Sequence, residues 1–292
     1  MQKEEYFTSR WGLILATLGI AVGTGNIWRF SRIVAQNGGG SFLIPWMIFL
    51  FVWSLPLIIA EFAIGKYARK GPVGAIAKIA GITLCKAYNR QHDTRFLAVM
   101  PTNLYGEHDN FHLETSHVIP AMIRKYHLAK MADQGNLAAI LADERVFGRI
   151  PDIIAENIGL SPDRTALVTG KSPQVVLWGT GSPYREFLHV QDMASACIHL
   201  ITTQTMSSAP VKELPVINVG TGQDQTIAET AGKIEKIVGF TGKTIFDATF
   251  PDGTPKKLLD TSRINKLGWK PAISLTRGLQ TTYQWYRQQI TG

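Results

Sequence analysis

The chain has 292 residues, 45% of them hydrophobic and 18% charged, with a formal net charge of +8 and two cysteines, enough for one large or two modest domains. The cysteines, Cys85 and Cys197, have no metal-ligand spacing and exclude a disulfide framework, so a reducing compartment fits best. No Lys/Arg cluster is interleaved with aromatics and no zinc-finger spacing occurs, so the basic excess points to an anionic ligand and to positive flanks of apolar segments, not to nucleic acid.

In chain order, the first features are two long apolar runs. No residue from Gly12 to Trp28, or from Val34 to Ala60, carries a charge. A helix needs about 20 apolar residues to cross a bilayer, so residues 11–30 and roughly 40–64 predict a transmembrane hairpin. Glu4 and Glu5 precede the first run and no small-residue cleavage site follows it, unlike a secretory signal. Arg10 before the first run, and Lys66, Arg69 and Lys70 after the second, predict an inner or plasma membrane location with both ends cytoplasmic. The Gly19–Asn26 stretch is rich in glycine, which weakens a helix by about 1 kcal/mol per residue against alanine. It fits close helix packing or an unwound stretch lining a site equally well.

The strings Arg10-Trp11-Gly12-Leu13, Gly23-Thr24-Gly25-Asn26-Ile27-Trp28-Arg29-Phe30 and Asn37-Gly38-Gly39-Gly40-Ser41-Phe42 resemble the opening of the neurotransmitter:sodium symporter family, over residues ~5–75. The resemblance implies the first two of about a dozen helices. It places sodium-site matches at Gly19, Ala21, Val22 and Asn26, an extracellular gate at Arg29 and a membrane-embedded acid at Glu61. Ser31 departs from the proline usual there. Two helices cannot build a site that lies between repeats, so neither a working metal site nor transport is expected. A fragment of a symporter is the third functional reading of the chain.

Past residue 75 the periodicity changes to that of an α/β protein. The pattern predicts helices over 76–90, 117–130, 192–202, 226–238 and 275–288, with Pro120 near a helix start and Thr226 and Glu229 forming a capping box. Short strands are predicted at 96–100, 175–178, 186–190, 216–219 and 244–247. The alternation argues a largely parallel sheet. Residues 131–172 read as an insertion over the ligand region, with weak helical patterns at 135–146 and 150–158.

The strings Ala75-Ile76-Ala77-Lys78, Pro101-Thr102-Asn103-Leu104-Tyr105-Gly106, His108-Asp109-Asn110-Phe111-His112, Ser116-His117-Val118-Ile119-Pro120, Trp178-Gly179-Thr180-Gly181, Arg185-Glu186-Phe187-Leu188-His189, Asn218-Val219-Gly220-Thr221-Gly222 and Pro251-Asp252-Gly253-Thr254-Pro255 resemble the GDP-L-fucose synthase branch of the extended short-chain dehydrogenase/reductases, over about residues 75–292. The resemblance implies a partial Rossmann-type fold with a substrate domain. It also implies NADPH-dependent 3,5-epimerisation and 4-reduction of GDP-4-keto-6-deoxy-D-mannose to GDP-L-fucose. His117 matches the acid of the epimerisation, and also a cofactor contact. Its partner cysteine has no counterpart here, and neither Cys85 nor Cys197 inherits the role. Lys78 matches the lysine that lowers the pKa of a catalytic tyrosine and binds the nicotinamide ribose, but Gly74 stands in the tyrosine's place. Pro101, Thr102, Asn103 and Leu104 match the nicotinamide-contacting turn. Lys125, Trp178, Arg185 and Asp252 match substrate-side positions, and Lys257 is a further phosphate candidate. Cations suit a diphosphate and a planar aromatic suits a base or sugar face. Lys125 stands where arginine is common, which keeps the charge and weakens bidentate binding.

The two resemblances meet at residues 71–78, so the chain looks like a chimera of a hairpin (1–74) and the back part of an enzyme (75–292), through a rearranged reading frame sooner than a selected fusion. No glycine-rich dinucleotide turn follows a soluble strand. NADP(H) binding is therefore expected to be weak or absent and activity impaired, with a cytoplasmic, membrane-tethered and non-catalytic nucleotide-sugar binder as the second reading. Family members are often homodimers. An unpaired strand edge is expected where the front half of the sheet is missing, with poor folding as its consequence.

Overall fold

The computed structural model describes residues 72–203 and 216–291, with side chains from Ile79 onward. The predicted hairpin, its sodium-site matches and the side chain of Lys78 lie outside the described residues. No helix among the described residues is long and apolar enough to cross a membrane. The chain divides into two compact units, Met1–Gly81 and Ile82–Gly292. The second carries the fold described below.

Helix α1 (Pro72–His92) leads into β1 (Ala98–Pro101) and β2 (Asn103–Tyr105). Three helices follow, α2 (Val118–Asp133), α3 (Leu137–Phe147) and α4 (Asp152–Ile158). Then come β3 (Gln174–Trp178), β4 (Tyr184–His189), α5 (Val190–Thr202), β5 (Val216–Val219), β6 (Asp224–Thr226) and α6 (Ile227–Val238). The last elements are β7 (Lys243–Asp247), β8 (Lys256–Lys257), α7 (Ser262–Lys266) and α8 (Leu275–Thr291).

The strand pairs β1–β5, β2–β4, β3–β7 and β4–β8 are parallel and β4–β6 is antiparallel. The sequence argues one largely parallel sheet; the strands form three small sheets instead. The division between β1–β5 and β2–β4 falls at Pro101, which has no N–H to continue a ladder. Thr102 donates its N–H to Val219 (3.0 Å), ending the β1–β5 pairing. Asn103 then opens pairing with β4, its side chain donating to the Glu186 carbonyl at 2.7 Å. The chain thus changes sheets at a strand end, where α/β folds place ligands.

Local chemistry explains the helices. Thr226 and Glu229 make the capping box that opens α6. Its other end closes on Gly239 in the left-handed region (φ 75°), and Lys130 Nζ donates to the last-turn carbonyl of Val238 at 2.8 Å. Asn136 caps α3 by accepting from Ala139 N–H. The main core packs Ile119, Met122, Ile123 and Tyr126 of α2 against Ala231, Ile234 and Val238 of α6 and Leu279, Tyr283 and Tyr286 of α8. The stretch read as an insertion supplies Ile140, Ile150, Ala155 and Ile158 to the same core. A second cluster joins Leu188, Ala196, Leu200, Ile217, Val219, Ile264 and Trp269.

His127 of α2 is buried, with Nδ1 3.0 Å from the Tyr283 hydroxyl. Burial first, then the Arg287 and Lys130 charges, push its pKa down to about 4. An unfolded histidine takes up its proton near pH 6.5, whereas the folded one stays neutral until about 4. Its contribution is complete above about pH 6.5 and is lost as the pH falls toward 4. At pH 5 the loss is about 2 kcal/mol. Urea unfolding at pH 7 and pH 5 should show a smaller acid loss in His127→Phe than in the parent; equal losses would rule out a neutral buried His127.

Candidate functional site

The strand ends open into two adjoining concavities that share Val118 and Arg185. The larger, of about 530 Å³, is lined by residues 102–109 and by His117, Ile119, Phe187 and Val190. The smaller, of about 250 Å³, gathers Lys125, Trp178, Arg185 and Asp252.

In the smaller pocket, Trp178 ends β3 and is 66% exposed. Its ring stacks on Phe250 (centroids 4.6 Å apart, planes at 12°), which holds it while most of the side chain stays exposed. Lys125 reaches over from α2, with Nζ 5.9 Å from the indole centroid and donating to the Val176 carbonyl at 3.0 Å. Burial pushes the Lys125 ammonium pKa down, but the carbonyl and the ring favour the cation. Asp252 accepts from the Thr180 hydroxyl (2.6 Å) and N–H (2.9 Å), and those bonds hold its carboxyl below the usual carboxylate range. Its first task is therefore to clamp the turn after Trp178. Gly179 there is left-handed (φ 83°), and a Cβ on it would stand 2.4 Å from the Asp252 carboxylate. Arg185 Nη1 donates to the carbonyls of Tyr184 and Thr254, both at 2.6 Å, which fixes the guanidinium between the two pockets.

In the larger cleft, Thr102, Asn103 and Leu104 come from the sheet change at β1–β2, and His117 from the start of α2. A helix-start histidine commonly bonds to backbone; His117 makes no side-chain cap bond, and it lines the cleft. Asp109 shares that wall; burial raises its carboxyl pKa, opposed by the Asn110 N–H and by the nearby His117.

The structure thus brings together eight of the residues singled out by sequence: Thr102, Asn103, Leu104 and His117 in the cleft, Lys125, Trp178 and Asp252 in the pocket, and Arg185 in both. Pro101 ends β1 exposed and outside both linings, and Lys257 of β8 sits with Nζ 3.5 Å from Asn103 Oδ1. Glu107, Asp109 and Phe250 are additional. Asp109 lies in a motif quoted above, while no spacing pattern points to Glu107 or to the Phe250 stack.

The Gly220-Thr221-Gly222 turn already holds an anion of the chain's own. The buried Glu186 carboxylate accepts from Gly222 N–H (2.7 Å) and Leu259 N–H (3.1 Å), and a Cβ on Gly220 would stand 2.4 Å from it. This turn cannot also cradle a pyrophosphate. Thr102, Asn103 and Leu104 line the cleft, but among the described residues no glycine cradle fits a pyrophosphate. Cys85 and Cys197 are free thiols and line neither concavity.

Parallel strand pairs and a sheet change at Pro101, with an aromatic-cation pocket at the strand ends, define a Rossmann-like α/β protein. The chain belongs to the NAD dependent epimerase/dehydratase family, whose model matches residues 73–158 and 159–220. The model of the sodium:neurotransmitter symporter family matches residues 4–90, so residues 73–90 fall within both matches. The chain is 44% identical over 233 residues to GDP-L-fucose synthase of Escherichia coli (strain K12), covering 79% of this chain and 61% of that protein. Among solved structures it is similar to a GDP-6-OMe-4-keto-L-xylo-heptose reductase from C. jejuni (36% identity, TM-score 0.62, covering 74% of this chain and 60% of that one). It is also similar to the GDP-mannoheptose C4 reductase MlghC from Campylobacter jejuni with NADP bound (35%, TM-score 0.57, 73% and 59%). The chain spans less than two thirds of the length of each of these relatives.

Proposed function

We propose that the described region binds a GDP-linked keto-sugar in the manner of a GDP-L-fucose synthase, with the nucleotide and its phosphates in the Trp178 pocket and the sugar in the adjoining cleft. One observation carries this reading: Lys125, Trp178, Arg185 and Asp252 come from separate elements and converge on one pocket, which opens beside His117. Trp178 offers a stacking face to a base. Lys125 and Arg185 offer charge to the diphosphate. The named relatives act on GDP-linked sugars, which fits that division.

His117 then stands where a proton is moved at a carbon beside the sugar ketone, since it lines the cleft and its side chain makes no cap bond. NADPH, when bound, supplies the hydride for the ketone. The Thr102–Leu104 turn would meet its nicotinamide end, and Lys78 its ribose. With Gly74 in the tyrosine's place and no pyrophosphate cradle among the described residues, NADP(H) binding is weak and the reductive step impaired. The hairpin resemblance adds a membrane tether to this proposal. Gly74 also favours a second reading, in which the chain binds the nucleotide-sugar without turning it over.

Calorimetry of the full chain with GDP-L-fucose tests the binding, and failure to bind ends both readings. Trp178→Ala should weaken binding by about 1–3 kcal/mol, the range for loss of one base–aromatic stack. Unchanged affinity would put the base elsewhere. NADPH oxidation with the keto-sugar nucleotide separates the two readings, since the pure binder shows none.

A further inference from the structure

We infer that Glu107, held in place by His189, accepts hydrogen bonds from neighbouring hydroxyls on the sugar ring of a ligand in the cleft. The inference rests on the nucleotide-sugar reading above and assigns the cleft its ligand-orienting group.

Residues 105–109 form one wall of the cleft. Gly106 lets that wall lie close against α5, since a Cβ there would stand 2.6 Å from Val190 Cγ1. His108 takes the left-handed conformation (φ 64°) and its ring packs on Trp285, with centroids 4.7 Å apart. The residues on either side of that anchor, Glu107 and Asp109, both line the cleft.

Beneath Glu107 lies His189, only 2% exposed. Its Nδ1 accepts the Gln191 N–H at 3.3 Å, so the neutral ring carries its proton on Nε2. Nε2 has no hydrogen-bond partner and sits 3.3 Å from Glu107 Oε2, the carboxylate oxygen it faces. The ring cannot swing away: Tyr105 packs edge-on against it (centroids 5.3 Å, 87°), and a Cβ on Gly278 would already stand 2.9 Å from His189 Cδ2. His189 is thus a positioning residue for the carboxylate.

One Glu107 oxygen lies within reach of that Nε2–H. The other takes no hydrogen bond and no lysine or arginine pairs with the carboxylate among the described residues. A largely desolvated carboxylate with an open oxygen repels phosphate and selects donors. It therefore orients the hydroxyl-bearing ring, while the phosphates belong with Lys125 and Arg185. Neighbouring hydroxyls occur on the hexose ring of a nucleotide-sugar and on the ribose of a dinucleotide.

The test titrates GDP-L-fucose, GDP and NADP+ calorimetrically into the full chain and into Glu107→Ala, with thermal midpoints as the folding control. The expected result is about a tenfold weaker Kd for GDP-L-fucose with GDP unchanged, which places the hexose at Glu107. A selective loss for NADP+ instead supports the same carboxylate–diol contact with the cofactor ribose as source. Equal loss for GDP and GDP-L-fucose, or no loss for any ligand, overturns the inference while leaving the binding reading intact. A parent chain that binds none of the three overturns both. His189→Ala should repeat the selective loss and His189→Gln, whose amide N–H can replace Nε2–H, should recover part of it. An unselective loss in both variants would reduce His189 to a structural role.

Discussion

Asp143→Ala is expected to destabilise the fold by about 3–5 kcal/mol, the range for stranding one member of a buried ion pair. Arg124 and Asp143 are both 0% exposed, with Nε 2.8 Å from Oδ1. The rest of the guanidinium donates to the carbonyls of Phe111 (3.1 Å), Phe147 (2.8 Å) and Gly148 (2.5 Å), and Tyr286 donates its hydroxyl to the second Asp143 oxygen. Each buried polar group in this set has a partner, which lets a buried charge pair persist. Removing the carboxylate leaves a buried cation and an orphaned phenol. Tyr286→Phe removes one charge-assisted bond and should cost less, about 1.5–3 kcal/mol. Urea unfolding of the variants measures both, and a loss under about 1 kcal/mol for Asp143→Ala would mean that the pair is not formed in solution. The same network ties the Phe111 carbonyl, at the foot of the loop that leads to His117, to α3 and the residues after it. Variants that retain the fold should therefore bind GDP-L-fucose more weakly than the parent.

The sequence made the helices and longer strands legible where a periodic or capping signal existed. Thr226 with Glu229 marked the start of α6, and the apolar run at 175–178 marked β3. The strands β2, β6 and β8, of three, three and two residues, were not legible. They are too short for an alternation to register, and pairing with β4 alone defines them. The separation of β1–β5 from the sheet around β4 turns on Pro101 and on the Thr102 bond to Val219, a long-range contact that no local pattern encodes. The pocket residues were legible as motifs. Their division of labour was not: that Asp252 spends its carboxylate on the Thr180 turn, or that Glu186 fills the Gly220–Gly222 turn, depends on distances between remote segments. The polar look of 131–172 concealed Ile140, Ile150 and Ile158, because a three-helix packing needs only a few apolar positions on each short helix.

Gly74→Tyr is expected to raise the NADPH-dependent reduction of the keto-sugar by about 10²–10⁴-fold, the usual contribution of a positioned proton donor. Helix α1 runs unbroken from Pro72 to His92, so residues 74 and 78 lie one turn apart on one helix face. A tyrosine introduced at 74 would therefore stand in register with Lys78, whose charge lowers a phenol pKa at that spacing. Lys78→Met in the Gly74→Tyr background should remove most of the gain, which separates a restored acid from a general stabilising effect of replacing a helical glycine, itself worth only about 0.5–1 kcal/mol. The measurement is kcat at saturating NADPH, beside GDP-L-fucose affinity as the control for the sugar site. A parent chain already turning over within tenfold of its Gly74→Tyr variant would sink the claim that the missing donor limits it. A variant that binds the sugar but stays at background would shift the limit to the dinucleotide. That outcome fits a fold in which the glycine turn at 220–222 is filled by the carboxylate of Glu186, so that the pyrophosphate must find its partners elsewhere.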